Sequence, residues 1–508
     1  MYLAVDVTSK SVKCAAGDLE QGIIAKETRH VPVRCSDDGF CRSCEETTFF
    51  DGIVETINAV LASPRVDPRA IRAVSAASIR PSCVFTDIDL NPVYIGASFD
   101  LRGSDAAGEL TDRLVSHTGK SFHEATGHFP ALMFPPARYA WFKEEAREAC
   151  KNITHYLPLE GWLLAMMGGE PHASETCAAE SGFYDIDRRT WIFEWEEILD
   201  LPREFLPFIV PPGEVIGETS QSIESLTGIP SGTMLVSGMP DTQAALLGAG
   251  CINAGDGCSV VGSTTPVQGL TGSRVVDPAG RAWNTRLALK GIVDCHVIEA
   301  SAGITGQVLP WLARLLFPGE PETASMDKLD TLHDTFDADQ VKDREMSVLA
   351  LLGPTVLASS QTGMDAGTLL FPSPCSVDEM VLDHPSLVAA TFENVLFAVK
   401  ENAAYIESIS GKFRNFYMLG GMTRGKTFVQ RFADLSMRDV ITSTEVEATI
   451  TGLFATCAVA TGDIGSPAGL TARVANWLDT RHCREEKHGI LQARLNRWNA
   501  LRARAAGI

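Results

Sequence analysis

Three observations predict an α/β fold built as two large halves around a cleft. The chain opens on three short strands separated by tight polar turns. The strand–turn–helix–strand segment Gly232–Gly262 repeats the grammar of that opening and divides the chain near residue 250. Short apolar strands then alternate with helical periodicities through both halves. The length of 508 residues allows roughly three domains, or two large ones, at about 150 residues each.

The elements follow in order. Tyr2–Val7, Ser11–Ala16 and Gly22–His30 read as strands. A strand, a tight polar turn and another strand make a hairpin opening, not the strand-to-helix opening of a dinucleotide fold. Thr47–Ala62 places Phe49, Ile53, Ile57 and Val60 roughly on one helical face. Ile71–Ser75 and Cys83–Thr86 are predicted as strands, and Asp105–His117, Pro136–Glu148 and Gly161–Met167 as helices. In the repeat, strand Met234–Ser237 leads through Asp241 into helix Thr242–Gly248 and then strand Ser259–Val261. Helices are expected at Gly306–Leu316, His384–Ile409 and Thr427–Leu435, with strand Phe416–Leu419 entering Gly420-Gly421. The basic stretch Arg481–Ile508 offers Ile490, Leu491, Leu495, Trp498 and Leu501 as a face to bury, so it is expected as a solvated surface helix.

Composition excludes several classes. The hydrophobic fraction of 45% is that of a globular chain. No apolar run reaches the roughly 18 residues that span a bilayer, and Met1–Asp6 has no basic region ahead of its apolar run. A soluble cytoplasmic protein without a membrane partner is expected. Lys+Arg 43 against Asp+Glu 64 gives a net charge of −21, which repels phosphate backbones and argues against nucleic acid. Thirteen cysteines are scattered along the chain and are read as mostly reduced core thiols. Cys35, Cys41 and Cys44 stand apart as C-x5-C-x2-C in a polar loop, and Cys14 lies on the neighbouring hairpin. That spacing admits a Zn²⁺ or iron–sulfur site as well as free thiols, and thiols are the expectation.

Three loops that end strands could carry chemistry. Asp6-Val7-Thr8-Ser9-Lys10-Ser11 offers backbone N–H groups, hydroxyls and an ammonium to a phosphate chain, with Asp6 able to hold hydrated Mg²⁺. Val261-Gly262-Ser263-Thr264-Thr265 is a second strand followed by small hydroxyl residues, and Leu419-Gly420-Gly421 lets a flat ligand approach the backbone closely. Asp241, between an apolar strand and an apolar helix, is either a helix cap or a general base for a substrate hydroxyl.

In this order the motifs resemble the FGGY carbohydrate kinases over residues 1–465. The resemblance rests on Asp6…Ser11-Val12-Lys13, Val84–Asp87 with Asp100-Leu101-Arg102, Arg138…Trp141-Phe142-Lys143, and Pro158–Leu163 with Thr176-Cys177-Ala178. It continues through Gly238…Asp241…Gly248, Gly262-Ser263-Thr264, Gly306…Trp311-Leu312, Glu393…Phe397 and Gly420-Gly421…Arg424…Gln430…Asp434…Glu447-Ala448…Gly452. It implies two RNase H-like domains of actin/hexokinase type with an interdomain cleft. Residues 1–250 would carry the sugar side and the base, residues 251–470 the nucleotide side, and residues 471–508 a helical extension. The implied activity is ATP-dependent phosphorylation of a small sugar or polyol, a pentulose first, with Mg²⁺; a homodimer is admitted. Asp241 would be the base; Asp6, helped by Asp241, would hold Mg²⁺. Ser9, Lys10, Ser263 and Thr264 would hold phosphates, with Gly306, Gly420 and Gly421 lining the nucleotide pocket. Arg80, Asp100 and Gln243 would lie on the sugar side.

The sequence also departs from the family. Thr8 replaces the glycine of the first phosphate loop, Met422 replaces the third glycine of the adenine-side triplet, and the "G-E-R-x-P" segment is not recognisable near Gln361–Gly367. Thr8 and Met422 favour a second class of function, a non-catalytic relative that senses a sugar or nucleotide. Ser78-Ile79-Arg80, Phe99-Asp100-Leu101-Arg102, Asp241-Thr242-Gln243 and Gly425-Lys426 resemble the kinases of the furanosyl autoinducer signal.

Overall fold

The computed structural model describes residues 1–505 apart from 9–10, 98, 304, 336–347, 354–366, 372–382 and 446. The first of its two main sheets is built from β1 (Tyr2–Val7), β2 (Ser11–Asp18), β3 (Gly22–His30), β4 (Ala73–Ser78), β5 (Val215–Glu218) and β6 (Met234–Pro240). The order is β5-β6-β4-β1-β2-β3. The β1-β2-β3 edge is antiparallel, β4 and β6 run parallel to β1, and β5 closes antiparallel.

The second sheet repeats that plan with β7 (Asp256–Val260), β8 (Val267–Thr271), β9 (Ala282–Leu289), β10 (Val293–Ala300), β11 (Asn415–Leu419), β12 (Val440–Ser443) and β13 (Leu478–Arg481). Its order is β9-β10-β8-β7-β11-β12-β13. The β7-β8-β10 stretch is antiparallel, β11 and β12 continue parallel from β7, and β13 closes antiparallel. The two loops read as phosphate-binding thus occupy equivalent places, the β1–β2 and β7–β8 turns. A hairpin turn at the end of a buried strand exposes N–H groups and hydroxyls without burying unpaired polar atoms.

Helices fill the faces. α1 (Phe49–Leu61) and α2 (Leu159–Met166) cover one face of the first sheet. The opposite face meets α3 (Asp241–Gly248) and α6 (Ala448–Ala460), while α4 (His384–Ser410) and α5 (Lys426–Ser436) cover the far face of the second and α7 (Glu485–Ala505) packs on those two helices. One apolar cluster runs through both sheets by way of α3 and α6, from Ala4, Ala15 and Val236 to Leu246, Leu453, Phe454, Cys258 and Val297. The two helices approach until backbones touch. A Cβ on Gly248 would lie 2.0 Å from the Ala448 carbonyl oxygen, and one on Gly452 would lie 1.8 Å from that of Ala244. Only glycine permits this approach at both points.

The opening hairpin and most expected helices are found within a few residues of their predicted bounds. The expected helix Pro136–Glu148 breaks at Ala146 into Pro135–Glu145 and Arg147–Cys150, and Gly306–Leu316 begins as a 3₁₀ turn at Thr305–Gln307. The basic α7 buries Leu491, Leu495 and Trp498 as expected, and also Arg494, which pairs with Glu393 of α4. Cys35 is exposed, Cys41 half-buried and Cys44 buried. Among the described residues no group of three or more His, Cys, Asp or Glu side chains is placed to hold a metal ion. Nor is any described helix long and apolar enough to cross a membrane.

Candidate active site

Buried strand β6 ends at Pro240, whose extended backbone turns the chain into α3, and Asp241 is the first helical residue. Its Oδ1 accepts from the Thr242 N–H at 2.6 Å and the Thr242 hydroxyl at 3.0 Å, and Thr449 of α6 donates to its carbonyl at 3.2 Å. Pro240 is the N-cap of α3, so the helix-cap reading of Asp241 does not hold; its carboxylate meets only the N–H and hydroxyl of the next residue. Burial raises the Asp241 carboxyl above its ordinary pKa, while Arg80 and Thr242 pull it down. A half-buried carboxylate kept near a cation is suited to taking a proton from a hydroxyl.

Asp6 lies near the end of β1, within electrostatic reach of Asp241. Burial pushes its carboxyl up to about 7, against the pull of Lys13, and Asp241 and Glu447 add to the rise. Lys13 Nζ sits 3.7 Å from Asp6 and 2.5 Å from Glu447, which also takes Lys26 at 2.8 Å. Asp6 Oδ1 is buried without a hydrogen-bond partner among the described residues. An orphaned carboxylate oxygen facing a second carboxylate fits a hydrated divalent cation, which supplies the missing positive charge.

The second phosphate loop and the glycines come together. Val261 N–H donates to the Leu419 carbonyl at 2.7 Å, and Ser263 and Thr264 are exposed at the β7–β8 turn. A Cβ on Gly306 would sit 1.7 Å from the Gly262 carbonyl oxygen, and Gly420, at φ +98°, backs onto Val261. Gly421 has open space on its Cβ side. Ser9 and Lys10 lie outside the described residues. Beside them, Thr8 Oγ1 accepts from the Ser11 N–H at 3.0 Å, so the hydroxyl closes the turn where the family has glycine. Met422 packs into the core of the second sheet.

Arg80 follows β4 and is the hub of a buried network. Its Nη1 donates to Glu180 at 3.0 Å and its guanidinium pairs with both Glu299 oxygens, at 2.9 and 3.1 Å. Gln243 Nε2 donates to Glu180 at 2.8 Å, and Gln268 Nε2 donates to Glu299 at 2.7 Å. His128 Nε2 meets the other Glu180 oxygen at 3.0 Å. Burial alone would raise the Glu180 carboxyl, but Arg80 and His128 hold it well below the usual carboxylate range. Asp100 is fully buried and fully occupied elsewhere: Tyr94 OH donates to it at 2.5 Å and Arg102 Nε at 2.8 Å. No contact among the described residues joins Asp100 to Asp241.

Sequence reasoning missed Glu180, Glu299, Gln268 and His128. The available signal was a lone charge in an apolar strand, as in Cys295-His296-Val297-Ile298-Glu299-Ala300, since such a group is retained only with a partner. A separate cavity of about 570 Å³ opens between α5 and α7, lined by Lys426, Arg431, Arg484 and Arg494 among others. None of the predicted site residues lines it.

Residues 1–248 match the N-terminal domain of the FGGY family of carbohydrate kinases. The autoinducer-2 kinase of Escherichia coli K12 is 24% identical over 515 residues, covering 98% of this chain and 93% of that protein. The one from Yersinia pseudotuberculosis is 25% identical over 509 residues, with the same coverage. Among solved structures, xylulose kinase from Rhodospirillum rubrum matches with a TM-score of 0.78 at 20% identity, over 99% of this chain and 98% of that one. Gluconate kinase from Lactobacillus acidophilus matches at 0.80 and 17%, over 99% and 97%. The Plasmodium falciparum glycerol kinase solved with ADP matches at 0.79 and 16%, over 99% and 98%. The fold is the actin/hexokinase-type pair of domains that the sequence predicts. Residues 1–248 thus belong to the FGGY family of carbohydrate kinases, and the relatives that match along nearly the whole chain are carbohydrate kinases. ATP-dependent phosphorylation of a carbohydrate follows from that membership.

Proposed function

We propose that the chain transfers the γ-phosphoryl group of ATP to a hydroxyl of a small sugar or polyol, with Asp241 as general base. The observation that carries this is the Asp241 carboxylate, half-buried where the two sheets meet, one oxygen fixed by Thr242 and the group electrostatically coupled to both Asp6 and Arg80. Asp241 would orient the acceptor hydroxyl and take its proton as the phosphoryl group arrives. Asp6, with Asp241, would hold Mg²⁺, which when bound neutralises phosphate charge. The hydroxyls and N–H groups of Ser263 and Thr264 would hold the phosphates, and Gly306, Gly420 and Gly421 would give the nucleotide room. Ser9 and Lys10 are proposed for the same task from the sequence alone. Asp100 is proposed as a support for the loop carrying Arg102 and not as a sugar ligand, because its oxygens are engaged by Tyr94 and Arg102. Closure of the cleft would exclude water as a competing acceptor.

The names of the full-length relatives and the Ser78-Ile79-Arg80 and Asp241-Thr242-Gln243 segments favour an autoinducer-2-type acceptor over a pentulose. ADP release from Mg-ATP across both acceptors, glycerol and tetritols tests the reading. Asp241→Asn is expected to lower turnover at least a thousandfold while acceptor affinity changes little. Turnover within tenfold of the parent would reject Asp241 as the base. ATP binding without transfer to any acceptor would move the assignment to a sensor.

A further inference from the structure

We propose that Glu299 is a specificity-determining residue: reaching from β10 to Arg80, it neutralises the Arg80 guanidinium beside the acceptor, so that the kinase takes an uncharged polyhydroxyl acceptor and refuses a sugar acid. The inference rests on the kinase reading and on Arg80 lying beside the acceptor.

The bonds form one chain across the two sheets, Gln268–Glu299–Arg80–Glu180–Gln243. Glu299 and Glu180 are buried, and both glutamines are fully so. Arg80 brings one positive charge, and Glu180 and Glu299, which both pair with it, bring two negative ones, with His128 on the far oxygen of Glu180. The Coulomb coupling of Asp241 to Arg80 and to Glu180 places the base in the same field. An acceptor carrying its own carboxylate would meet a guanidinium whose donors are already taken by Glu180 and Glu299, and its charge would lie against those two carboxylates with little water to screen it.

A second observation points to the same chemistry. Gln243 and Gln268 each give their Nε2 to a carboxylate, which fixes the amide orientation because a carbonyl oxygen cannot face a carboxylate. The opposite atoms, Gln243 Oε1 and Gln268 Oε1, are buried with no hydrogen-bond partner among the described residues. The open valences of the network are therefore acceptors, which want O–H donors. A sugar or polyol hydroxyl supplies a donor and a carboxylate does not. Binding that leaves buried polar atoms unpaired is discriminated against by orders of magnitude.

The test compares uncharged acceptors (D-xylulose, glycerol, erythritol, autoinducer-2) with D-gluconate and D-xylonate, using the full-length protein. Transfer is read by ADP release and binding by calorimetry with Mg²⁺ and a non-hydrolysable ATP analogue. The wild type is expected to use at least one uncharged acceptor and neither acid. Glu299→Gln, isosteric and neutral, is expected to raise the acid-to-uncharged ratio of kcat/KM at least tenfold, while Glu299→Asp keeps the parent's discrimination. Should Glu299→Gln not fold, Gln268→Leu provides the check through a tenfold rise in KM for the uncharged acceptor at nearly constant kcat. A preference of the wild type for an acid overturns the proposal, as does an unchanged ratio in a variant of parental thermal stability. If an uncharged acceptor binds and is not phosphorylated, the kinase reading fails and selectivity is scored on binding alone. If neither class binds, the proposal is overturned.

Discussion

His172 shows how a single buried group writes pH into stability. It is fully buried beside Phe208, its Nδ1 meets the Glu170 carbonyl at 2.9 Å, and its Nε2 has no partner among the described residues. Burial lowers its pKa to about 4. The ring is thus neutral in the native state, whereas an unfolded chain takes up a proton near pH 6.5. Its contribution is complete above pH 6.5 and is lost as pH falls from 6.5 toward 4, by about 3 kcal/mol at the lower end. The stability difference between the wild type and His172→Gln, measured by urea unfolding, should shrink across that interval; a difference that stays flat with pH would refute the assignment. The same residue-scale logic separates what sequence revealed from what it hid. Asp6 and Asp241 were legible because each ends an apolar strand in a turn of small residues. Glu180 and Glu299 were not, because their shared partner Arg80 lies 100 and 219 residues away and pairing depends on the tertiary fold.

At the scale of elements, the α3–α6 contact controls how the base is held. Thr449 bonds the Asp241 carbonyl, and Gly452 lies one turn further along α6 against Ala244. A methyl group at residue 452 cannot fit at 1.8 Å from a carbonyl oxygen, so Gly452→Ala should force the helices apart. Overpacking of this kind costs about 1–3 kcal/mol. Turnover should fall further than stability predicts, because Asp241 moves with its helix. Urea unfolding and steady-state kinetics on the same variant decide this, and parental values in both would show that the helices yield without consequence. Sequence pattern located the elements well because each strand or helix declares its own apolar period. It could not foresee the break at Ala146 or the 3₁₀ start at Thr305, where packing against neighbours overrides local preference.

At the scale of the molecule, the repeat seen at Gly232–Gly262 foreshadowed two sheets with one plan, yet nothing in the pattern gave their mutual docking. That docking uses α3, which follows the first sheet in the chain, and α6, which follows most of the second and packs on β1, β2, β4 and β6. The contact has a consequence for descent. The N-terminal family domain ends at Gly248, on the surface that presses against Ala448. The family domain and the unit of folding therefore part company here. Expressed alone, residues 1–248 should bare Ala4, Ala15, Val236 and Leu246, aggregate or bind the dye ANS, and recover solubility only when residues 249–508 are supplied in trans. A soluble, cooperatively unfolding 1–248 fragment would show instead that the two units coincide. If they do not, exchange of halves between lineages is constrained at this seam: a recombinant inherits a working kinase only when both parents kept glycine on each side of it.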